Sequence, residues 1–332
     1  MREVDYLVIG QGIAGTLFAW QALERGKRVL VIDREEAVTC SRVAAGIINP
    51  ITGSRLAKSW RLDELWPAAT AFYATHGAEF FQPRHVLRLL HDPEQISRWS
   101  KRRSDPEYQA LCQPGKLVVD PEKIQPHADA FETTIGGWLN LPDFLDHAKR
   151  HFHDQNAFQC GESVPPDVQA RHTIWCQGHE SAKSGVFDWV PIRAGKGQIL
   201  DLTIPRLEET RILNRRKWLL PLDGDRYRAG ATFEWDEADV SPTAEGRAEV
   251  ESALRQTIRL PFEVTGHQAA FRPMAQQGRP ILGRHPARPE HIIFNGLGSK
   301  GVLLAPFFAN HLLEHLETGS PIDPEVDVRR FW

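Results

Sequence analysis

Cysteine is scarce: Cys40, Cys112, Cys160 and Cys176 stand far apart and form no Cys-x-x-Cys pair. That argues against a disulfide framework and for free thiols in a reducing compartment. An excess of charge of one sign is missing too. Lys and Arg number 40 against 43 Asp and Glu, a formal net charge of −3. That balance gives no support for a strongly basic nucleic-acid surface, so a nucleic-acid partner is not expected. Long hydrophobic runs are also absent. The most apolar late stretch, GVLLAPFFANHLL (301–313), is too short and too broken by Pro306 to cross a bilayer. The first residues, MREVDYLVIG, run straight into an apolar strand without the layout of a secretory signal. A cytoplasmic globular chain with no membrane partner is expected. Its 332 residues allow a sizeable core in two domains or one large one.

What is present begins with DYLVIGQGIAGTLFAWQALERGKRVLVIDRE. A short apolar run leads into Gly10-x-Gly12-x-x-Gly15, then an amphipathic helix, then a second apolar strand, RVLVI, closed by Asp33. Gly10 permits a tight strand-to-helix turn, Gly12 lets backbone approach a pyrophosphate, and Gly15 lets helix and strand pack closely. The first helical residues, Ile13 and Ala14, offer free N–H groups at the positive end of the helix dipole. Asp33 lies roughly twenty residues beyond Gly10, where a carboxylate accepts hydrogen bonds from a ribose, and Arg34 follows it. The pattern predicts a dinucleotide site and leaves NAD and FAD both open.

A second stretch, SRVAAGIINPITGSR (41–55), follows closely. Ala44, Ala45 and Gly46 let backbone pass near a flat group, and Arg42 has the charge to meet a phosphate. Together with residues 1–35, this stretch resembles the D-amino-acid oxidase/glycine oxidase family of FAD-dependent amine oxidases. That family carries a small-residue segment along the flavin. Later stretches agree with the resemblance: RAGKGQIL (193–200), YRAGATFEWDE (227–237), and FRPMAQQGRPILG followed by IIFNGLGSKGVLLAPFFANHLLEHLETG. TIWCQGHES (173–181) stands where the family has a strand ending in a small-residue turn near the cofactor, which nominates Gly178.

The resemblance covers nearly the whole chain and implies FAD, bound non-covalently. It implies an α/β (α+β) fold: a Rossmann-like FAD-binding domain of the glutathione-reductase type with an interleaved, mostly β substrate domain. Residues 1–80, 140–188 and 266–332 would build the first, and 81–139 and 189–265 the second. A hairpin from KWLLPLD and DRYRAGATFEW, turning at Asp223-Gly224-Asp225, and a helix over 244–258 are expected in the substrate part. Between a helix at 142–153 and TIWCQG, only NAFQCGESVPPDVQAR is available where the family has more strands, one of them over the adenine.

In the resembling family, the arginine of the Arg-Pro motif holds the substrate carboxylate, and Arg272 is the matching residue. A guanidinium grips a carboxylate through two parallel hydrogen bonds, and Pro273 restricts the backbone before it. The alternative is a structural arginine paired with an acid between domains. The turn NGLGSKGVLLAP (295–306) nominates Gly296, Gly298, Gly301 and Val302 for the pyrimidine side of the flavin. Four readings stay open for Lys300: the reduced flavin, a substrate acid, the reaction with oxygen, or solvent. No cysteine lies near Arg272 in the sequence or in this turn, hence the non-covalent expectation.

HLLEH (311–315) matches a zinc-protease pattern. It lies on the closing helix without a third ligand, so an ordinary polar face and no metal are expected. His147, His151 and His153 are expected on a solvated face, and some of the ten tryptophans in a substrate pocket. The expected activity is oxidation of the C–N bond of an amino acid or N-substituted glycine. Hydride passes to flavin N5, the imine is hydrolysed, and O2 or another acceptor takes the electrons. The alternatives are an FAD enzyme that trims carboxymethylaminomethyl-uridine in tRNA and an FAD-dependent 2-hydroxy-acid dehydrogenase. The sequence sets no oligomeric state.

Overall fold

The computed structural model describes residues 1–113, 117–235, 237 and 239–332. Asp236, within one of the stretches read above, lies outside the described residues. Two sheets dominate. The first has six strands in the order Phe158–Cys160, Val29–Asp33, Arg2–Ile9, Val168–Trp175, His291–Asn295 and Ile281–Arg284. The first five run parallel and the sixth is antiparallel. Val29–Asp33 is apolar along nearly its whole length because both its faces are buried: Val29 and Val31 belong to the main core with Phe18 of the first helix, and Leu30 and Ile32 cluster with Val4 and Leu7 of the neighbouring strand. The helix Ile13–Glu24 packs between this sheet and the last helix, Gly301–Thr318.

The last helix continues through Pro306. A proline has no N–H for the carbonyl four residues back, which here belongs to Val302. The fully buried Tyr73, on the helix Leu62–His76, supplies the missing donor from its hydroxyl at 2.9 Å. The Pro306 carbonyl accepts from Gln21 Nε2 at 3.0 Å. Side chains of two other helices thus satisfy the polar backbone around Pro306. No helix among the described residues is long and apolar enough to cross a membrane.

The second sheet has eight strands. Ile192–Thr203 pairs with Arg226–Gly230 and Glu234–Trp235 on one side and with Glu263–Ala275 on the other. From Arg226–Gly230 the order continues through Trp218–Pro221, Ile212–Asn214, Val86–Leu90 and Asp129–Glu132. The expected hairpin is Trp218–Pro221 with Arg226–Gly230, and Gly224 turns it at φ +61°. The helix expected over 244–258 spans Ala244–Arg255, capped by Thr243 Oγ1, which accepts from the Gly246 amide at 3.1 Å. Gln198 is fully buried because it holds this cap. It accepts from the Thr243 amide at 2.8 Å and donates to Glu234 at 2.9 Å. Residues 266–275 continue the strand that starts at Glu263, so the border drawn at 265/266 falls inside one strand.

Not every expectation from sequence survives. His151 stacks on Trp20, ring centroids 4.5 Å apart, and His147 packs on the same indole at 5.7 Å. The apolar first helix exposes Trp20 to them, so these two histidines cover an aromatic rather than face only water. His311 Nε2 accepts from the Asp323 amide at 3.1 Å and His315 Nδ1 lies 2.6 Å from the Ser320 carbonyl oxygen. Both anchor the segment that follows the last helix.

Candidate active site

A cavity of about 630 Å³ runs from the glycine-rich turn after the first strand to the face of the eight-stranded sheet. Gly10 adopts φ +101°, and a methyl group there would sit 2.7 Å from the Cys176 carbonyl oxygen. A methyl on Gly15 would fall 1.9 Å from the Gly10 oxygen, so Gly15 serves helix–strand packing and does not line the cavity. Gly12, Ile13 and Ala14 do line it. Ser41 Oγ accepts from the Ile13 amide at 3.0 Å. The amides of Gly12 and Ala14 have no acceptor among the described residues. Free amides at a helix start beside a cavity fit the pyrophosphate of a dinucleotide.

Asp33, at the end of its strand, lines the same cavity. Its Oδ2 accepts from the Gln11 amide at 2.6 Å and Oδ1 from the Glu35 amide at 2.7 Å. These bonds fix the carboxylate and leave each oxygen a lone pair for a ribose hydroxyl. Arg34 lines the cavity and pairs with Glu180 and, at 3.1 Å, with Glu36. The short strand Phe158–Cys160 delivers Gly161 and Glu162 to this end. They occupy the region for which the sequence offered no candidate over an adenine.

The small-residue segment follows a short helix, Cys40–Val43, capped by Thr39. Ala44, Ala45 and Gly46 all line the cavity. Gly46, at φ +75°, lies so close to the strand Gly137–Leu139 that a methyl would meet the Leu139 oxygen at 1.9 Å. Arg228 on the eight-stranded sheet holds this segment. Its Nη2 donates to the Val43 carbonyl at 3.0 Å and its Nε to Asp201 at 3.0 Å. Nothing in the sequence signals that role, since 185 positions separate donor and acceptor. Arg42, nominated for a phosphate, is not among the cavity residues. It faces the helix Leu141–Asp154 and donates to Asp146 at 2.6 Å.

Gly178 lines the cavity at φ +57°. The buried Asn295 ties it to the late turn, donating from Nδ2 to the Gly178 carbonyl at 2.8 Å and accepting from the Gly296 amide at 2.8 Å. Gly296, at φ +73°, shapes that turn without lining the cavity; Gly298, Gly301 and Val302 line it. The Gly298 amide donates to the Pro273 carbonyl at 3.2 Å, which fastens the turn to the strand of Arg272. Lys300 lines the cavity, half-buried, and its ammonium has no hydrogen bond or ion pair among the described residues. Burial, with the charge of Arg279 nearby, lowers its pKa from the ordinary value of 10.5.

Arg272 lines the cavity from the strand Glu263–Ala275. Both its Nη atoms donate to the Thr232 carbonyl at 3.2 Å, Nη1 also reaches the Lys196 carbonyl at 3.4 Å, and the guanidinium lies 5.2 Å from the Phe233 ring. Gly197 makes room for it: a methyl there would fall 1.8 Å from Nη2. Burial lowers the pKa of Arg272, and the two groups that oppose the shift are Cys40 and Glu234. Glu234 accepts instead from Gln198 and Thr232. Arg272 therefore has no paired carboxylate among the described residues.

Cys40 corrects the view from sequence, which placed no cysteine near Arg272. It lines the same cavity within electrostatic reach of that arginine, because the helix Cys40–Val43 turns it inward. Burial pushes its thiol up to about 11, so it is protonated at neutral pH and a poor nucleophile. His179 also lines the cavity, with its pKa lowered by burial. Its charged neighbours are Glu180, Lys183, Glu36 and Arg34 rather than Arg272. Trp218 is a tryptophan that does reach the cavity.

Similarity to known proteins agrees with this layout. The sequence is 24% identical over 344 residues to the tRNA 5-methylaminomethyl-2-thiouridine biosynthesis bifunctional protein MnmC of Idiomarina loihiensis, covering 92% of this chain and 54% of that one. It is 23% identical to the same-named protein of Hahella chejuensis, covering 98% of this chain and 59% of that one. The chain thus spans little more than half the length of these curated relatives. Glycine oxidase from Geobacillus kaustophilus superposes with a TM-score of 0.82 at 16% identity, covering 100% of this chain and 98% of that one. Iminodiacetate oxidase from Chelativorans sp. BNC1 superposes at 0.75 with 23% identity, covering 98% of each. These superpositions establish the shared fold. The sequence model of the D-amino-acid-oxidase-type (DAO) FAD dependent oxidoreductases matches residues 5–315. With a cavity whose glycines and free amides fit FAD, the chain belongs to that family.

Proposed function

We propose that this enzyme oxidises the C–N bond of an amino acid or N-substituted glycine, and that Arg272 anchors the substrate carboxylate. The observation that carries this is a half-buried guanidinium, lining the cavity, that is partnered by carbonyls and by no acid among the described residues. A partly desolvated cation without a counter-ion gains from a ligand that brings one. Two carbonyls and Phe233 hold it from behind, so the carboxylate would meet a preset donor and the amine end would be oriented from there.

FAD supplies the hydride acceptor when bound. The six-stranded sheet would carry it through Gly12, Ala14, Asp33 and the 44–46 segment, non-covalently, and the eight-stranded sheet would carry the substrate. A neutral amine loses hydride without a protein base, and the imine is then hydrolysed by water. Binding geometry and charge are therefore the residues' contribution. His179 has Glu180, Lys183, Glu36 and Arg34 as its charged neighbours rather than Arg272, so it is not assigned as a base at the proposed substrate anchor and the hydroxy-acid reading is not favoured.

A second reading draws support from the curated relatives, whose names state tRNA modification. An N-substituted glycine carried on tRNA would use the same carboxylate anchor. The test is anaerobic addition of amino acids, N-alkyl glycines and unmodified or modified tRNA to the flavoprotein, following its visible spectrum. Bleaching by a carboxylate-bearing amine is expected. Bleaching only by carboxylate-free amines would overturn the role of Arg272.

A further inference from the structure

Asn214 lines the cavity from the strand Ile212–Asn214, opposite Trp218 on the neighbouring strand. Its Oδ1 accepts from Arg88 Nη1. An amide whose oxygen is occupied in this way turns its NH2 group to the other side. Asn214 Nδ2 has no acceptor among the described residues, and Asn214 lines the cavity. Arg88 is almost fully buried, does not line the cavity, and has no carboxylate partner among the described residues. Its other Nη donates to the Gly53 carbonyl at 3.4 Å, and Gly53 is a cavity residue. Arg88 is thus a positioning residue that fixes Asn214 as a donor and polarises its amide.

The register of the sheet gives the separation from Arg272. Asn214, Trp218, Gly230 and Ile199 stand opposite one another across four neighbouring strands. Three strand spacings separate the first from the last, roughly 14 Å. Gly197, under the Arg272 guanidinium, lies two residues along from Ile199 on its strand. Glycine or N-methylglycine held at Arg272 would leave Asn214 unmet.

We infer that the substrate is an extended N-substituted amino acid, its carboxylate on Arg272 and a carbonyl or carboxylate oxygen at the far end of its nitrogen substituent on Asn214 Nδ2. The inference rests on the carboxylate role of Arg272 and adds length and a distal acceptor to it. The substituent passes Trp218, which lines the cavity between the two ends. A donor backed by a buried guanidinium favours an acceptor with negative charge.

The experiment measures kcat/KM for glycine, N-methylglycine, and glycines whose N-alkyl chains of increasing length end in a methyl, a carboxamide or a carboxylate. Chains ending in either acceptor are expected to exceed the methyl-ended chain of equal length by roughly tenfold or more, with the change in KM. Asn214→Leu should erase that ratio while flavin content stays that of the parent. Asn214→Asp, nearly isosteric, should lower the ratio most for the carboxylate. Equal values for all endings, a ratio that survives in both variants, or loss of flavin as the sole effect of the variants would overturn the inference. Reduction by glycine as fast as by every longer compound would overturn it while leaving the role of Arg272 intact. Failure of every carboxylate-bearing amine to reduce the flavin would instead strike the proposed reaction itself.

Discussion

The guanidinium of Arg272 rests over the α-carbon of Gly197, where a methyl group would fall 1.8 Å from Nη2. Gly197 has no side chain because the arginine occupies that space. Gly197→Ala is expected to displace Arg272 from Thr232 and to raise KM for carboxylate substrates about tenfold or more, as loss of a charge-assisted hydrogen bond would. Flavin content should remain that of the parent. Arg272→Met should do the same and more, with carboxylate-free amines affected least. A Gly197→Ala enzyme with parental KM would mean that Arg272 does not hold the substrate.

Asp33 is fixed by two backbone amides, those of Gln11 and Glu35, before any ligand arrives. Asp33→Ala removes the ribose acceptor and also leaves those amides without their partner. Flavin retained through dialysis should fall in the order parent, Asp33→Asn, Asp33→Ala, read from the visible absorbance per protein. Equal retention in all three would remove Asp33 from the cofactor site.

Tyr73 makes a prediction about stability alone. Removing its hydroxyl leaves the Val302 carbonyl buried and unpartnered, because Pro306 has no N–H to give it. Tyr73→Phe should cost about 1–3 kcal/mol in denaturant unfolding. Pro306→Ala in the Tyr73→Phe background should recover part of it, since alanine restores the helical donor. Additive losses from the two changes would contradict this account.

These residues show how far sequence reaches. The turn at Gly10, Gly12 and Gly15 with Asp33 was legible because tight turns and apolar strands are local properties of the chain. The place of Arg272 on the cavity was legible through the motif around it. Arg228 on the Val43 carbonyl, Arg88 on Asn214 and Gly197 beneath Arg272 were not, since each pairing is made by sheet register between distant segments. Arg42 misled for the same reason: its charge suggested a phosphate, and the helix Leu141–Asp154 brought Asp146 to it. Pro306 looked like a break until Tyr73, far away in sequence, was seen to complete the helix.

The thiol chemistry of the cavity favours non-covalent FAD. Cys40 is half-buried with its thiol pushed up to about 11, and Cys176 is buried and pushed further in the same direction. Acid precipitation should therefore release all flavin into the supernatant. In the native protein near pH 8, iodoacetamide should label the exposed Cys160 and leave Cys40 and Cys176 unmodified, as read by peptide mass spectrometry. Flavin carried on a Cys40 peptide would refute both parts.

Lys300 gives the dependence on pH. Burial and the charge of Arg279 lower its pKa in the folded chain below the ordinary 10.5. Holding its proton is therefore less favourable folded than unfolded. As pH rises through the folded pKa towards the ordinary one, the native state releases the proton first, and stability from this group recovers. Lys300→Met removes the charged group, so the flavin-free variant should be more stable than the parent near neutral pH. That advantage should shrink as pH climbs towards the ordinary lysine range, followed by thermal unfolding. A carboxylate ligand in the cavity should shrink it as well, because a bound anion compensates the ammonium and raises its pKa. An advantage independent of both pH and ligand would place Lys300 outside the site's electrostatics and leave solvent as its role.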